Sequence, residues 1–329
     1  MDKSQQTHKR IAAEKEDILG PNYQAITLES KPNQICTLVR YLSAQKSEHD
    51  CAILYVHGYT DYFYQTQLAE FIAEQGFDFY AVDLHGYGRS IRPYQQDHNQ
   101  NHFPHYFDDI DACLSKMAAQ GVQRCILLGH STGGLVTTRY LSHLEQTKRQ
   151  VPKIIGMILN SPFFSLPMPL TEEKWRLPLY KVISRLLEPI SLPAKKPTLY
   201  AQSIHKSLSG EWRYRLDWKP SQGSPLSFSW LHQIMQQQAA CLTQKSQLPT
   251  LLCRSSRSTY QAHHLIDIQQ GDGVLDVGNM EAKAKQIFAN LEVKCIDKGF
   301  HDLTLSSTSA RQEYYNTLKH WLTQYKVSH

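Results

Sequence analysis

One serine in this sequence stands in a pattern that can make it a nucleophile. Ser131 is the centre of the run Gly129-His130-Ser131-Thr132-Gly133, which follows the apolar run CILL and precedes LVTTRYLSHLE, a sequence typical of an amphipathic helix. In a strand, turn and helix, the pattern G-x-S-x-G exposes the serine on a strained turn, and the residues two before and two after it must lack a side chain. Gly129 and Gly133 meet this requirement. The alternative is a glycine-rich turn that binds phosphate or no ligand.

A serine hydroxyl is a poor nucleophile at neutral pH and needs a neighbouring base. In hydrolases with this turn, the acid and then the base follow the serine along the chain. His301, in KGFHDLTLS after the apolar run EVKCI, is the histidine best placed to accept the proton of Ser131. The loop after PTLLCRSS contains Asp267, Asp272 and Asp276. We favour Asp272, between two glycines, as the carboxylate that orients His301, and Asp276 is the second candidate.

Two backbone N–H groups are predicted to stabilise a developing oxyanion. Thr132 directly follows the serine at the start of the helix, where N–H groups lack intrahelical partners. The second donor is expected from the loop after CAILYV, where Tyr59 follows His57-Gly58. His57 precedes the nucleophile in the chain, so we interpret it as a residue that shapes this loop. Asp83 ends the wrong strand for a triad acid and is interpreted as a structural anchor.

These side chains need a scaffold, and the sequence predicts one of the α/β class. Short apolar runs alternate with segments of helical length, and continuous apolar runs are typical of parallel strands covered on both faces. The runs are CAILYVHG, FDFYAVDLHG, CILLGHS, KIIGMILNSP, PTLLCRSS and EVKCIDKG. Strand, helix, strand order favours a doubly wound, mostly parallel sheet. The alternation stops between Pro162 and about Gln247, which indicates an inserted, mainly helical cap.

The chain therefore divides into a core, a cap and a polar N-terminal segment. We predict an extension over residues 1–20, a core from residues 21–162 and 246–329, and a cap over residues 163–245. The ordered domain is expected to begin near Pro21, with Ile35 to Leu42 as the first strand.

Composition limits the classes of function. The 329 residues are 41% hydrophobic and 20% charged, as in soluble enzymes, and the net charge of +5 is spread along the chain. No dense basic cluster indicates nucleic-acid binding. No apolar run approaches the roughly 18 to 20 residues that span a bilayer, and the polar start predicts no secretion signal, so a cytoplasmic location is expected. The seven cysteines show no CxxC or Cys/His metal spacing.

The runs HGYTDYF, DLHGYGRS, GHSTGG, DGVLDV and GFHDL together resemble the monoacylglycerol lipase and lysophospholipase group of α/β hydrolases, which are serine aminopeptidase S33-type hydrolases. The resemblance covers about residues 52–321. It implies the α/β-hydrolase fold, a triad of Ser131, Asp272 and His301, oxyanion N–H groups from Tyr59 and Thr132, and no metal or organic cofactor. Two features depart from the group: the stretch between Cys253 and Asp272 is longer, and the cap has no recognised motif.

The predicted reaction is hydrolysis of a carboxylic ester through an acyl-enzyme, with a lipid-like or amphiphilic substrate. Between residues 165 and 220 there are ten Lys or Arg against five Asp or Glu, interleaved with tryptophans, a mixture that can meet an anionic headgroup or a membrane surface. Trp212 and Trp218 are the candidate substrate-binding residues of the cap. Amide or thioester hydrolysis on the same triad is the first alternative, and a non-catalytic binding protein is the second.

Overall fold

A nine-stranded sheet forms the centre of the computed structural model, which describes residues 13–44, 50–94, 102–147, 152–188, 190–194, 196–243 and 245–325. Its strands are β1 (Ala13–Asp17), β2 (Gly20–Lys31), β3 (Gln34–Tyr41), β4 (Cys51–Val56), β5 (Asp78–Asp83), β6 (Arg124–His130), β7 (Lys153–Asn160), β10 (Thr250–Ser255) and β11 (Leu291–Ile296). The spatial order is β1-β2-β3-β5-β4-β6-β7-β10-β11. The last six strands in this order are parallel, and β1 to β3 are antiparallel. The sheet is therefore mostly parallel, as predicted.

Helices cover the sheet on both faces. They are α1 (Thr66–Glu74), α2 (His105–Ala119), α3 (Thr132–Thr147), α8 (Val277–Ile287) and α9 (Thr308–Leu322). Side chains of α1 and α9 pack on one face, and side chains of α2, α3 and α8 pack on the other. Strand β4 shows why: Ile53 and Tyr55 enter one core, whereas Leu54 and Val56 enter the other, because successive strand residues point to opposite faces.

The segment between β7 and β10 forms the insertion above the sheet. It contains α4 (Leu170–Leu186), α5 (Leu199–Ile204), α6 (Phe228–Cys241) and a two-stranded ribbon of β8 (Ser191–Leu192) and β9 (Leu226–Ser227). The predicted cap, residues 163–245, includes all of these elements. No helix in the described part of the chain is long and apolar enough to cross a membrane.

The N-terminal part differs from the prediction. Strand β1 begins at Ala13 and pairs with β2, so residues 13–20 of the predicted extension take part in the sheet, whereas residues 1–12 lie outside the described part of the chain. The strand predicted over Ile35 to Leu42 is β3, the third described strand rather than the first. The sequence of β1, AEKED, shows no apolar alternation. It is held by pairing with β2 and by the buried ion pair of Asp17 with Arg89, whose Nη2 lies 2.7 Å from Asp17 Oδ1.

Candidate functional site

Ser131 occupies the turn between β6 and α3 with a left-handed backbone, φ 52°. The adjoining glycines permit this turn because the backbone passes very close to them. A Cβ added at Gly129 would lie 2.6 Å from Gly134 Cα, and one added at Gly133 would lie 2.1 Å from the carbonyl oxygen of Val56. No larger residue fits at either position without a shift of the backbone. The turn presents the Ser131 hydroxyl at the carboxyl edge of the sheet.

The structure brings Ser131, His301 and Asp272 together in one hydrogen-bonded series. His301 Nε2 lies 2.9 Å from Ser131 Oγ, and His301 Nδ1 lies 3.0 Å from Asp272 Oδ2. Asp272 is fully buried, and its other oxygen accepts the backbone N–H groups of Val274 and Leu275 at 2.9 and 2.8 Å. A carboxylate that accepts a hydrogen bond from Nδ1–H keeps the imidazole proton on Nδ1. The Nε2 atom is then free to accept the proton of a serine hydroxyl.

The second acid candidate lies elsewhere. Asp276 is the N-cap of α8, where its Oδ1 accepts the N–H of Asn279 at 2.8 Å. The backbone of Asp272 is held by a separate contact, since its N–H donates to the carbonyl of Arg257 at 2.9 Å. The long stretch that precedes Asp272 contains a short helix, α7 (Leu265–Ile268). The additional residues before Asp272 therefore include a short helix, and the Asp272 carboxylate still contacts the His301 imidazole.

The oxyanion candidates flank the nucleophile. Thr132 opens α3, so its N–H belongs to the first turn, in which donors have no intrahelical acceptor. The loop after β4 passes close to Ser131, since a Cβ added at Gly58 would lie 3.1 Å from Ser131 Cβ. Tyr59 follows Gly58 in this loop and lines the same cavity as Ser131. Both backbone segments thus border the space in front of the hydroxyl.

Two other polar residues singled out in the sequence have structural contacts. His57 Nδ1–H donates to the Gly58 carbonyl at 2.7 Å, and its Nε2 accepts the N–H of Leu84 at 3.1 Å. Burial lowers the pKa of His57, so the neutral ring with both nitrogens engaged shapes the loop. Asp83 accepts the N–H of Phe63 at 2.8 Å and the Arg89 guanidinium at 2.8 Å, as an anchor would.

Asp302, which was not predicted from the sequence, directly follows His301 and is fully buried. Its Oδ1 accepts Asn160 Nδ2 at 2.8 Å and Thr304 Oγ1 at 2.6 Å, and its Oδ2 accepts Gln65 Nε2 at 3.0 Å. Burial alone would raise the pKa of this carboxyl, but the facing His130 and the hydrogen bond from Thr304 outweigh burial and lower it. The sequence feature that could have indicated Asp302 is its position directly after His301, the predicted base.

Asp61, His130 and Asp302 are the described residues whose geometry could hold a metal ion, since their ligand atoms lie within 4.8 Å of one another. Neither ring nitrogen of His130 has a hydrogen-bond partner, and burial lowers its pKa to about 4, which keeps the ring neutral near pH 7. Lys219 Nζ lies 2.8 Å from Asp61 Oδ1. Because this ammonium already supplies a cation to the cluster, we interpret the group as an ion pair between cap and core.

A cavity of about 650 Å³ lies in front of Ser131 and His301, between the core and the cap. Its wall is mostly apolar, and the contributors include Phe163, Leu199, Ile204, Leu226, Trp230 and Val274. Asp61 and Lys219 lie on a polar side of the same cavity. The site therefore offers an apolar space next to the nucleophile and a charged pair at one side.

Trp212 and Trp218, predicted to bind substrate, lie outside the wall of this cavity. Trp212 Nε1–H donates to the carbonyl of Leu305 at 2.7 Å, and Trp218 packs edge-on against Tyr62 with ring centroids 5.1 Å apart. The tryptophan that lines the cavity is Trp230, whose ring is tilted by 33° against that of Tyr59 with ring centroids 4.0 Å apart. The tertiary packing of the cap determines which tryptophan lines the cavity, and no local pattern in the sequence indicated Trp230.

Known proteins resemble this chain in sequence and in structure. It is 23% identical over 266 residues to "Probable lysophospholipase L2" of Haemophilus influenzae, a match that covers 78% of each protein. It is 30% identical over 120 residues to "AB hydrolase superfamily protein YisY" of Bacillus subtilis, where the match covers 36% of this chain and 41% of YisY.

Two solved structures show the same fold. A soluble variant of monoglyceride lipase from Saccharomyces cerevisiae has a TM-score of 0.67 at 18% identity, with 92% of this chain and 95% of that chain covered. The monoacylglycerol lipase of Paleococcus ferrophilus has a TM-score of 0.57 at 16% identity, with 83% and 93% covered. The predicted α/β-hydrolase fold is confirmed by these likenesses.

Residues 47–307 match the sequence model of the family described as "Serine aminopeptidase, S33". The matched range includes Ser131, Asp272 and His301, and it spans most of the chain. The chain therefore belongs to the serine aminopeptidase S33 family of α/β hydrolases.

Proposed function

We propose that this protein hydrolyses carboxylic esters through a covalent acyl-enzyme on Ser131. The observation that carries the proposal is the series of contacts from Ser131 Oγ to His301 Nε2 and from His301 Nδ1 to Asp272 Oδ2, at 2.9 and 3.0 Å. The series faces a cavity large enough for a substrate. Nucleophile, base and orienting acid are the parts that acyl transfer requires.

In the acylation step, Ser131 Oγ attacks the ester carbonyl carbon while His301 Nε2 takes the hydroxyl proton. The oxygen of the tetrahedral intermediate becomes an anion, which the N–H groups of Tyr59 and Thr132 stabilise. When the carbon–oxygen bond to the alcohol breaks, the imidazolium returns the proton to the leaving alkoxide. A water then attacks the acyl-enzyme, gives its proton to His301, and releases the acid as Ser131 recovers its proton. Asp272 holds the imidazole and stabilises its charged form throughout.

The cavity supports an ester with a long apolar acyl group. Apolar side chains from core and cap, such as Phe163, Leu226 and Trp230, surround the space next to Ser131 and favour a hydrocarbon chain over a peptide. The proteins similar to this chain include "Probable lysophospholipase L2" and a monoglyceride lipase. Monoacylglycerols or lysophospholipids are accordingly the substrates we expect. Amide and thioester hydrolysis on the same triad are the alternatives, because only the pocket selects the leaving group.

The acyl-length profile tests both the substrate class and the assignment of the wall. We expect hydrolysis of p-nitrophenyl esters and monoacylglycerol well above that of an aminoacyl anilide or an acyl thioester. Trp230→Ala removes an apolar side chain from the wall and enlarges the cavity. We expect the preferred acyl chain to become longer, and kcat/KM for the ester that the wild type prefers to fall by about 10- to 200-fold. Trp218→Ala, which changes a tryptophan outside the wall, should keep the wild-type profile.

Measurement of kcat/KM across the ester series for the three proteins decides the point. A profile that shifts in Trp218→Ala and not in Trp230→Ala would contradict the cavity assignment. A wild-type preference for the anilide or the thioester would favour the alternative reactions instead.

We further propose that α4 contacts an anionic lipid surface. Trp175, Leu179, Val182 and Leu186 follow the spacing i, i+4, i+7, i+11, so they share one face of the helix, and they are 59%, 50%, 58% and 75% exposed. The residues on the opposite side, such as Leu177, pack against the cap interior. A face of four exposed apolar residues is unusual for a surface helix, where water normally meets polar side chains.

The charges beside this face support an anionic partner. Lys174, Arg176, Lys181 and Arg185 lie on the same helix, against the acidic Glu172 and Glu173 in its first turn. Arg176 also lies over the ring of Trp175, 4.9 Å from its centroid. An apolar face flanked by basic side chains is typical of helices that lie in a membrane interface. A substrate that partitions into lipid would reach the cavity from such a surface.

Vesicle sedimentation checks the role of α4. The double change Val182→Ser and Leu186→Ser is expected to weaken binding to vesicles of equal parts phosphatidylcholine and phosphatidylglycerol by about tenfold or more, because two apolar side chains no longer insert. Ile266→Ser, at a residue that is 71% exposed on α7, is the matched control and should bind like the wild type. Hydrolysis of a soluble short-chain ester should be unchanged in both. Equal binding by the double variant and the wild type would overturn the proposal.

A further inference from the structure

The cap contacts the loop that carries His301 at two points. Tyr200, on α5, accepts the backbone N–H of Asp302 with its hydroxyl oxygen at 3.1 Å. Trp212 Nε1–H donates to the carbonyl of Leu305 in the same loop at 2.7 Å. We propose that the cap positions the catalytic base through these contacts, with Tyr200 as the principal positioning residue. This inference rests on the proposed role of His301 as the base.

The ring of Tyr200 lies against the His301 imidazole and close to the turn that carries Asp272. It meets the His301 imidazole edge-on, with ring centroids 5.8 Å apart and an interplanar angle of 81°. A Cβ added at Gly273, the neighbour of Asp272, would lie 3.7 Å from Tyr200 Cδ2. One cap side chain thus packs against the imidazole and lies next to the turn that presents its carboxylate. An edge-to-face contact of this kind favours one orientation of the imidazole ring.

The core holds the same loop from the other side. The Asp302 carboxylate accepts hydrogen bonds from Asn160 and Gln65 of the core and from Thr304 of its own loop, and these fix its side chain. Its backbone N–H donates to Tyr200 of the cap. His301 is the residue directly before Asp302, so its imidazole is placed by a loop that is clamped between core and cap. Loss of either clamp leaves a buried polar group without its partner and lets the loop move.

The helix that carries Tyr200, α5, has a side-chain cap at its start. Thr198 is its N-cap, and the Thr198 hydroxyl oxygen accepts the N–H of Ala201 at 3.0 Å. Trp212 Nε1–H reaches the His301 loop beyond the end of α5, and the Arg311 guanidinium lies over the Trp212 ring, 4.9 Å from its centroid. The two contacts with the loop come from separate parts of the cap. The cap therefore does more than cover the cavity, because a shift of this segment displaces the base from Ser131.

Tyr200→Phe keeps the ring and removes the hydrogen bond to Asp302. We expect kcat to fall by about tenfold, the effect of one lost hydrogen bond on a group that must be aligned in the transition state. KM should stay within about twofold, since the apolar wall is preserved. The same factor should apply to esters of every acyl length and to the rate of labelling by a small fluorophosphonate. Tyr314→Phe is the matched control, because it removes a buried hydroxyl without a partner in the core and should leave kcat unchanged.

Tyr200 also lines the cavity, so the design separates positioning from binding. A rise of KM that grows with acyl length, at constant kcat, would make Tyr200 a binding residue and overturn the proposal. Wild-type kinetics in Tyr200→Phe would overturn it as well. Trp212→Phe, outside the cavity wall, removes the second contact and should lower kcat equally for all acyl lengths; it decides the matter if Tyr200→Phe is poorly folded. Failure of the proposed function has a different signature, since Ser131→Ala would then remain active.

Discussion

Ser131→Ala is expected to lower ester turnover by about 10⁶-fold, the loss found where the nucleophile of a serine triad has been removed. The geometry gives the reason. Without Oγ, His301 Nε2 loses the partner that lies 2.9 Å away, and no covalent intermediate can form. Any residual hydrolysis would come from water activated by His301 in a cavity that still binds the ester. The variant should fold normally, because alanine removes only the hydroxyl.

Covalent labelling makes this result specific to one residue. A fluorophosphonate probe should label the wild type at Ser131 alone and should not label Ser131→Ala. Ser255→Ala is the matched control: Ser255 is buried at the end of β10, and its hydroxyl has no hydrogen-bond partner, so labelling and turnover should persist. If Ser131→Ala were labelled or retained full activity, another nucleophile would have to act. Activity absent in the wild type as well would favour a non-catalytic binding protein.

The sequence predicted the parts of the site that depend on local backbone geometry. Gly129 and Gly133 are required because their neighbours leave no space for a Cβ, and this requirement is visible as a spacing of residue types. The order of serine, acid and base along the chain then directed attention to His301 and Asp272. Both are brought by the structure to hydrogen-bond distance of their partners. Their catalytic roles stay predictions until the variants are measured.

What the sequence did not predict depends on tertiary packing. Trp230, rather than Trp212 or Trp218, lines the cavity because of the way the cap folds over the sheet. Strand β1 was missed because it is polar and is held by pairing and by the ion pair with Arg89. The contact of Tyr200 with Asp302 joins residues 102 positions apart, and no local pattern could indicate it.

The cap links these observations to catalysis. Its apolar side chains form much of the cavity wall, its α4 exposes four apolar side chains, and Tyr200 accepts a hydrogen bond from the loop that carries His301. Lys219 adds an ion pair with Asp61 at the same boundary. We expect the cap to be coupled to the reaction, because a substrate that displaces it also disturbs the alignment of His301.

Asp272→Asn is expected to lower turnover by about 10⁴-fold while folding stays largely intact, the size of loss seen when an amide holds a triad imidazole in the wrong tautomer. In the wild type, Asp272 Oδ2 accepts from His301 Nδ1, so the proton is fixed there. An asparagine amide that donates to Nδ1 would move the proton to Nε2, where it faces the Ser131 hydroxyl. The base could then no longer accept the proton of the nucleophile.

Asp276→Ala is the matched comparison, because both aspartates belong to the same turn and only their contacts differ. Asp276 accepts the N–H of Asn279 at the start of α8, so its loss should cost about 1 kcal/mol of the free energy of unfolding, as for other helix N-caps. Turnover should change little. Steady-state kinetics and urea unfolding of the two variants measure both quantities. Asp276 indispensable for turnover and Asp272 dispensable would contradict the assignment, since the carboxylate that orients the base would then have to reach His301 from the helix cap.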